Sequence, residues 1–278
     1  VDNGETLAYD VLSLNIGSVI PRPPGTETFP TMFPVKPISN FLALRRCLAA
    51  LETDKTVRVL VIGGGPAGCE AATNLRTLCH RQGQAAEIRL VTAADRLLTD
   101  FPPKASRRMA ARCRDQHVSV TTGRRVERVY GDGVVLDDGA LVRADILVPA
   151  TGVRPPDVLR GSGLVLDERG ALVVNRHLQS VSHPEVFGGG DCICRASGPL
   201  PAVGVYAVRQ AAVLFENLLA ATGNGSMRAF RPQEKYMLIL NTGQGIGLLK
   251  RGTFTVSGHL PFLLKKWLDC RFVRSHQR

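Results

Sequence analysis

Gly63, Gly65 and Gly68 stand in Val57–Glu70, VRVLVIGGGPAGCE, where a short apolar run breaks into glycines and continues through Pro66 and Ala67. The first glycine permits a tight turn, the second lets backbone approach a phosphate, and the third lets a helix pack closely on its strand. The free N–H groups and positive dipole end of that helix would face a dinucleotide pyrophosphate. A lone G-x-G-x-x-G carries little weight. Here Ala71, Ala72, Leu75 and Leu78 continue a helical spacing, and Ile88–Val91 supplies a second strand after a break at Gly83. Strand, glycine turn, helix and strand in this order predict a nucleotide-binding unit. A second glycine run, Gly188–Gly190, ends on Asp191 and is followed by Cys192 and Cys194.

The elements that must hold these residues follow from period and punctuation. Tyr9–Ile16 reads as a strand stopped by Gly17, residues 21–37 as a proline-rich connector, and Phe41–Leu51 as a helix. A helix is expected from Pro102 and Pro103 through Arg114, then a strand at Val118–Val120. Val126–Tyr130, Val134–Leu136 and Leu141–Val142, separated by Gly131-Asp132-Gly133 and Asp137-Asp138-Gly139, predict a β-meander. A buried strand at Asp145–Pro149 runs out into Ala150, Thr151 and Gly152. Farther on, strands are expected at Ala171–Asn175, Val186–Phe187, Tyr236–Leu240 and Gly247–Leu249, with a helix over Gly204–Leu219.

Composition narrows the class. The 278 residues suffice for about two domains. The formal charge is +11, concentrated in Lys104–Arg128, with eight basic residues against two acidic, and in Lys265–Arg278, with five basic residues against Asp269. Such clusters attract nucleic acid or anionic membrane, but a solvated face is the simpler reading of the first. No zinc-finger, helix-turn-helix or stacking-aromatic motif is present, which argues against nucleic acid. Seven scattered cysteines without a C-x-x-C pair or a zinc-ligand set read as reduced thiols in a cytoplasmic protein. No apolar run reaches the roughly 18 residues that span a bilayer.

YDVLSLNIGS, GGGPAGCE, DILVPATGVRP, HPEVFGGGDC and the helix carrying Tyr206-Ala207-Val208-Arg209-Gln210 occur in this order. In that order they resemble the flavin-dependent pyridine nucleotide-disulfide oxidoreductases. KYMLILNTGQGIGLLKRG and KKWLDCRF resemble the type II NADH dehydrogenase branch, in particular homologues associated with or fused to selenide, water dikinase. The resemblance implies an α/β chain of two Rossmann-like, three-layer dinucleotide-binding units, plus a small C-terminal α+β region. The NAD(P)H unit is inserted in a truncated FAD unit. It divides the chain into residues 1–54 (remnant of the FAD domain), 55–152 (NAD(P)H domain), 153–230 (second part of the FAD domain) and 231–278. The family's FAD motif, which precedes the NAD motif by well over a hundred residues, has no counterpart before Gly63. The expectation is therefore a fragment of a longer protein or a weakened FAD site.

By the same resemblance NAD(P)H, with NADH favoured, meets Gly63, Gly65, Pro66, Ala67, Gly68, Glu70 and Thr92. Thr151 and Gly152, on the connection from the NAD unit back to the flavin unit, are read either as small residues packed against a nucleotide or as a generic strand exit. FAD meets Lys36, Gly190, Asp191 and Val205. Glu70 is read either as orienting the nicotinamide carboxamide or as a first-turn acid favoured by the helix dipole. Coenzyme choice falls at Thr92 and Ala93, with Asp95 and Arg96 just beyond. Cys192 and Cys194 read as small buried hydrophobes rather than a redox pair. No metal and no acid–base catalyst is expected. Leu264, Trp267, Leu268 and Phe272, with Lys265, Lys266 and Arg271, place an amphipathic helix in 263–272, read either as docking on its own domain or as a peripheral membrane contact. The implied activity is FAD-dependent NAD(P)H oxidation with a small-molecule acceptor such as a quinone. The alternative is a non-catalytic nucleotide-binding module beside a selenide, water dikinase-like partner.

Overall fold

The computed structural model describes residues 4–51, 55–223 and 225–276, and the chain divides into two compact units, Val1–Val19 with Val153–Glu234 and Ile20–Gly152 with Lys235–Arg278. Five α-helices lie among the described residues: α1 (Ser39–Ala49), α2 (Pro66–Arg81), α3 (Pro103–Asp115), α4 (Gly204–Ala221) and α5 (His259–His276).

In the larger unit, Val57–Ile62 sits inside a four-stranded parallel sheet. Its neighbours are Ala86–Val91 on one side, followed by Val118–Thr121, and Ile146–Pro149 on the other. Helices α2 and α3 make the crossovers that parallel strands require. A central strand covered on both faces is apolar throughout, and all of Val57–Ile62 except Arg58 is buried. Arg58 lies toward the strand's start, where its guanidinium pairs with Asp145 (2.5 Å) and holds that carboxyl below its usual range.

The expected meander is present as Val126–Tyr130, Gly133–Leu136 and Leu141–Arg143, antiparallel throughout. Its Val129, Val134, Leu136 and Val142 pack with Phe29 onto Leu60, Ile62, Val91 and Leu147, all at most 9% exposed. Fully burying side chains of this size stabilises by about 1.5–3 kcal/mol each.

Strands Met237–Asn241, Gly247–Arg251 and Phe254–Gly258 form an antiparallel sheet, and α5 lies against it. This sheet belongs to the same compact unit as α2 and α3. Arg108 donates to the Thr255 carbonyl (2.6 Å), Arg112 to those of Thr242 (3.2 Å) and Gly243 (2.9 Å), and Gln116 to that of Thr242 (2.6 Å). A Cβ at Gly243, where φ is +77°, would come within 2.8 Å of the Thr73 carbonyl on α2. The basic cluster on α3 is therefore in part a set of clamps on the C-terminal sheet, correcting the reading of it as a purely solvated face. Helix α5 packs on the C-terminal sheet through Pro261, Phe262, Lys265 and Leu268, so of the apolar stripe expected in 263–272 only Leu268 faces its own unit, while Leu264, Trp267 and Phe272 are exposed. Leu263 and Trp267 are each 55% exposed.

In the smaller unit, Leu12–Leu14 pairs in parallel with Val186–Gly188, and Leu172–Val174 with Ile193–Arg195. The division at Val19 differs from the expected one at 54. Residues 20–51 group with the nucleotide unit because Phe33 and Val35 donate to the Leu147 and Pro149 carbonyls at the edge of the parallel sheet.

Candidate functional site

The site in the larger unit begins where Val57–Ile62 ends. Gly63 has φ +121°, donates to the Val91 carbonyl (2.8 Å), and would bring a Cβ within 2.5 Å of the Ala150 carbonyl. A Cβ at Gly68 would penetrate the Gly63 carbonyl itself. Gly65 is different. It is the N-cap of α2, with extended φ −75° and ψ −177°, and a Cβ there would meet nothing within 4 Å. No side chain caps α2, Pro66 occupies its first turn, and Ala67 is exposed. An uncapped helix start facing open space through a glycine has the free N–H groups and dipole end that suit an anion.

Around this opening, Thr151 backbone lies 3.1 Å from where a Gly63 Cβ would be, and Gly152 follows with φ +26°. Thr92 is buried beneath Gly64: a Cβ at Gly64 would lie 2.9 Å from its side chain. The Thr92 hydroxyl accepts the Ala94 N–H (3.3 Å). Arg96 is consumed locally by the carbonyls of Leu98 (3.1 Å), Thr99 (2.6 Å) and Phe101 (3.2 Å).

Glu70 has a partner that neither sequence reading supplied. Its Oε1 accepts the Asn241 N–H (2.6 Å), while Asn74 donates to the carbonyls of both Glu70 (2.8 Å) and Asn241 (2.7 Å). Burial pushes the Glu70 carboxyl up from its ordinary value, opposed by the Asn241 N–H and by Lys265. Lys36 also lies in this unit, its carbonyl accepting the Asn40 amide (3.2 Å).

The smaller unit carries the second constellation. Gly190 (φ +78°) donates to Gln210 Oε1 on α4 (2.7 Å), and Ser18 donates to Asp191 Oδ2 (2.8 Å). A hollow opens here, lined by Gly190, Asp191, Cys194, Tyr206, Ala207 and Gln210. The start of α4, with Val205 in its first turn, has no side-chain cap. Buried Cys192 directs its thiol to the Leu14 and Gly189 carbonyls, and burial raises both the Cys192 and the Cys194 thiols, which keeps them protonated. Gly190, Asp191 and Val205 thus gather in one unit, and Gly63–Gly68, Glu70, Thr92, Thr151, Gly152 and Lys36 lie in the other. Among the described residues no group of His, Cys, Asp and Glu could hold a metal ion, and no helix is long and apolar enough to cross a membrane.

Residues 1–231 match the model of the pyridine nucleotide-disulphide oxidoreductase family, and the chain belongs to that family. It is 33% identical over 221 residues to the nitric oxide reductase FlRd-NAD(+) reductase of Aeromonas hydrophila, covering 76% of this chain and 50% of that protein. It is 25% identical over 202 residues to the type II NADH:quinone oxidoreductase of Haemophilus influenzae, covering 68% of this chain and 46% of that protein. The chain thus spans about half the length of these curated relatives. Among solved structures, an FAD-dependent pyridine nucleotide-disulphide oxidoreductase from Desulfovibrio vulgaris superposes with a TM-score of 0.69 at 26% identity, covering 89% of this chain and 62% of that one.

Proposed function

We propose that this chain binds NAD(P)H on its larger unit and the ribityl–isoalloxazine end of FAD on its smaller unit, as part of an NAD(P)H oxidoreductase that reduces a small-molecule acceptor such as a quinone. The single observation that carries the reading is the opening at Gly65, bordered by an uncapped α2. Bound FAD supplies a two-electron acceptor for the nicotinamide hydride.

The chain's own residues supply binding and orientation. The α2 N-terminus takes the coenzyme pyrophosphate, and Gly63 and Gly68 hold that helix against the strand. Asp191, steadied by Ser18, offers a carboxylate oxygen to a ribityl hydroxyl. The uncapped α4 start would offer its positive dipole end to negative charge on the flavin pyrimidine. No acid or base is required of the protein, because hydride transfer depends on holding two rings at reacting distance.

The fit to FAD is partial. Among residues 4–51 no glycine turn leads into a helix as Gly63–Gly68 does, so those residues offer the FAD pyrophosphate no equivalent cradle. Calorimetric titration with NADH and NADPH, together with the visible spectrum after incubation with FAD, tests the proposal. Saturable nucleotide binding and perturbed flavin bands are expected. Nucleotide binding without any flavin binding would favour a non-catalytic nucleotide module.

A further inference from the structure

The end of the second parallel strand decides whether such a site prefers a free ribose or one carrying a 2′-phosphate: a carboxylate there takes the ribose hydroxyls and repels phosphate, and an arginine accommodates phosphate. Strand Ala86–Val91 ends on Thr92, which is buried under Gly64, its hydroxyl taken by the Ala94 N–H. No carboxylate stands at residues 92–94, and the nearest acid in sequence, Asp95, comes one residue later.

A second loop is fastened to this segment. Gly123 donates to the Ala94 carbonyl (2.8 Å) and the Arg124 N–H to the Thr92 carbonyl (3.0 Å), which sets the Arg124 backbone beside the strand end, and Arg125, whose carbonyl accepts the Asp137 N–H (2.9 Å), is the next residue of that loop. Arg124 pairs with Asp138 (2.6 Å) yet keeps a side chain 47% exposed. Arg125 is exposed and has no ion pair or side-chain hydrogen bond among the described residues. Arg96, the arginine nearest in sequence, is excluded because three backbone carbonyls occupy its guanidinium.

We infer that this strand end, lacking a carboxylate and flanked by Arg124 and Arg125, selects a 2′-phosphorylated nucleotide, so that NADPH binds at least as tightly as NADH. The inference rests on the nucleotide site proposed above and opposes the NADH preference that the family resemblance favours. A phosphate against an unpaired, partly exposed guanidinium forms a charge-assisted contact that NADH cannot make.

The test is calorimetric titration of the full chain with NADPH and with NADH, repeated on Arg125→Gln and on the double variant Arg124→Gln/Arg125→Gln. Surface substitutions of this kind leave folding nearly unchanged, which thermal melts check. NADPH affinity in the double variant is expected to fall about tenfold or more, with NADH affinity held within about twofold, a difference of ~1.4 kcal/mol. NADPH binding tenfold weaker than NADH in the unaltered chain, or a double variant with unchanged NADPH affinity, overturns the inference and leaves the nucleotide site standing. Failure of both nucleotides to bind removes the site and the inference together.

Discussion

The two glycine runs, Gly63–Gly68 and Gly188–Asp191, look alike in sequence and are built for different reasons. In the first, the two glycines that bracket the turn are crowded by backbone, Gly63 by the Ala150 carbonyl and Gly68 by the Gly63 carbonyl, while Gly64 meets the Thr92 side chain. The second is crowded by side chains: a Cβ at Gly188 would lie 2.7 Å from Ile193 Cγ2 and one at Gly189 3.0 Å from Asn15 Oδ1. The first delivers the chain into the 16-residue α2, the second into a 3-residue 3-10 turn, Gly190–Cys192. Glycine count therefore does not make a phosphate cradle. A helix start with nothing in front of it does, and only the first run has one.

Substitutions can break this contrast at several strengths. Gly68→Ala is expected to be the most damaging, since the intruded atom is backbone and cannot rotate away. A loss of about 3 kcal/mol or more, read by denaturant unfolding, is expected. Gly188→Ala meets a side-chain methyl, Ile193 Cγ2, which a small shift of that side chain can relieve, so a loss of about 1–3 kcal/mol is expected, and a penalty equal to that of Gly68→Ala would erase the distinction. Gly65→Val should cost only about 1 kcal/mol of stability, the loss of a favoured N-cap residue where the backbone is extended and the space is open, yet weaken NAD(P)H binding about tenfold, ~1.4 kcal/mol. Unchanged affinity in that folded variant would show that no phosphate approaches Gly65.

The smallest effect concerns Glu70. Its folded carboxyl titrates above the ordinary glutamate range, so its contribution to stability is greatest below that range and declines as pH rises through the folded value. Glu70→Gln keeps an acceptor for the Asn241 N–H and cannot ionise. Melting curves of the two proteins should diverge as pH rises across that window, in favour of the variant, and parallel curves would mean that burial does not govern this carboxyl.

Much of the nucleotide unit was legible because its signals are local. Val57–Ile62, the glycine turn, α2 and the meander announce themselves by period and by glycine placement, and their limits fall within a few residues of expectation. The strand Phe254–Gly258 was not legible: Phe254 is 63% exposed while Thr255 is 8% exposed, so the polarity pattern runs opposite to the usual one. The strand expected over Tyr9–Ile16 shortens to Leu12–Leu14, because pairing with Val186–Gly188 extends over those residues alone. The tie from Glu70 to Asn241 spans 171 positions, and no local pattern encodes it. The same holds for Arg108 and Arg112, which reach backbone carbonyls, and the Thr255 and Gln244 side chains beside them, 130 or more positions away.

The clamp of α3 on the turn after Asn241 also has a meaning for synthesis. Arg112 and Gln116 wait 130 and 126 positions for the Thr242 carbonyl, and Arg108 waits 147 for that of Thr255. The parallel sheet and its glycine turn leave the ribosome long before the strands that complete their compact unit. Contacts of such separation form late and slowly. Until the stretch Lys235–Gly258 emerges, one side of α2 and α3 lacks its cover, so the nascent unit passes through an interval in which the surface that the C-terminal sheet later claims is open to solvent.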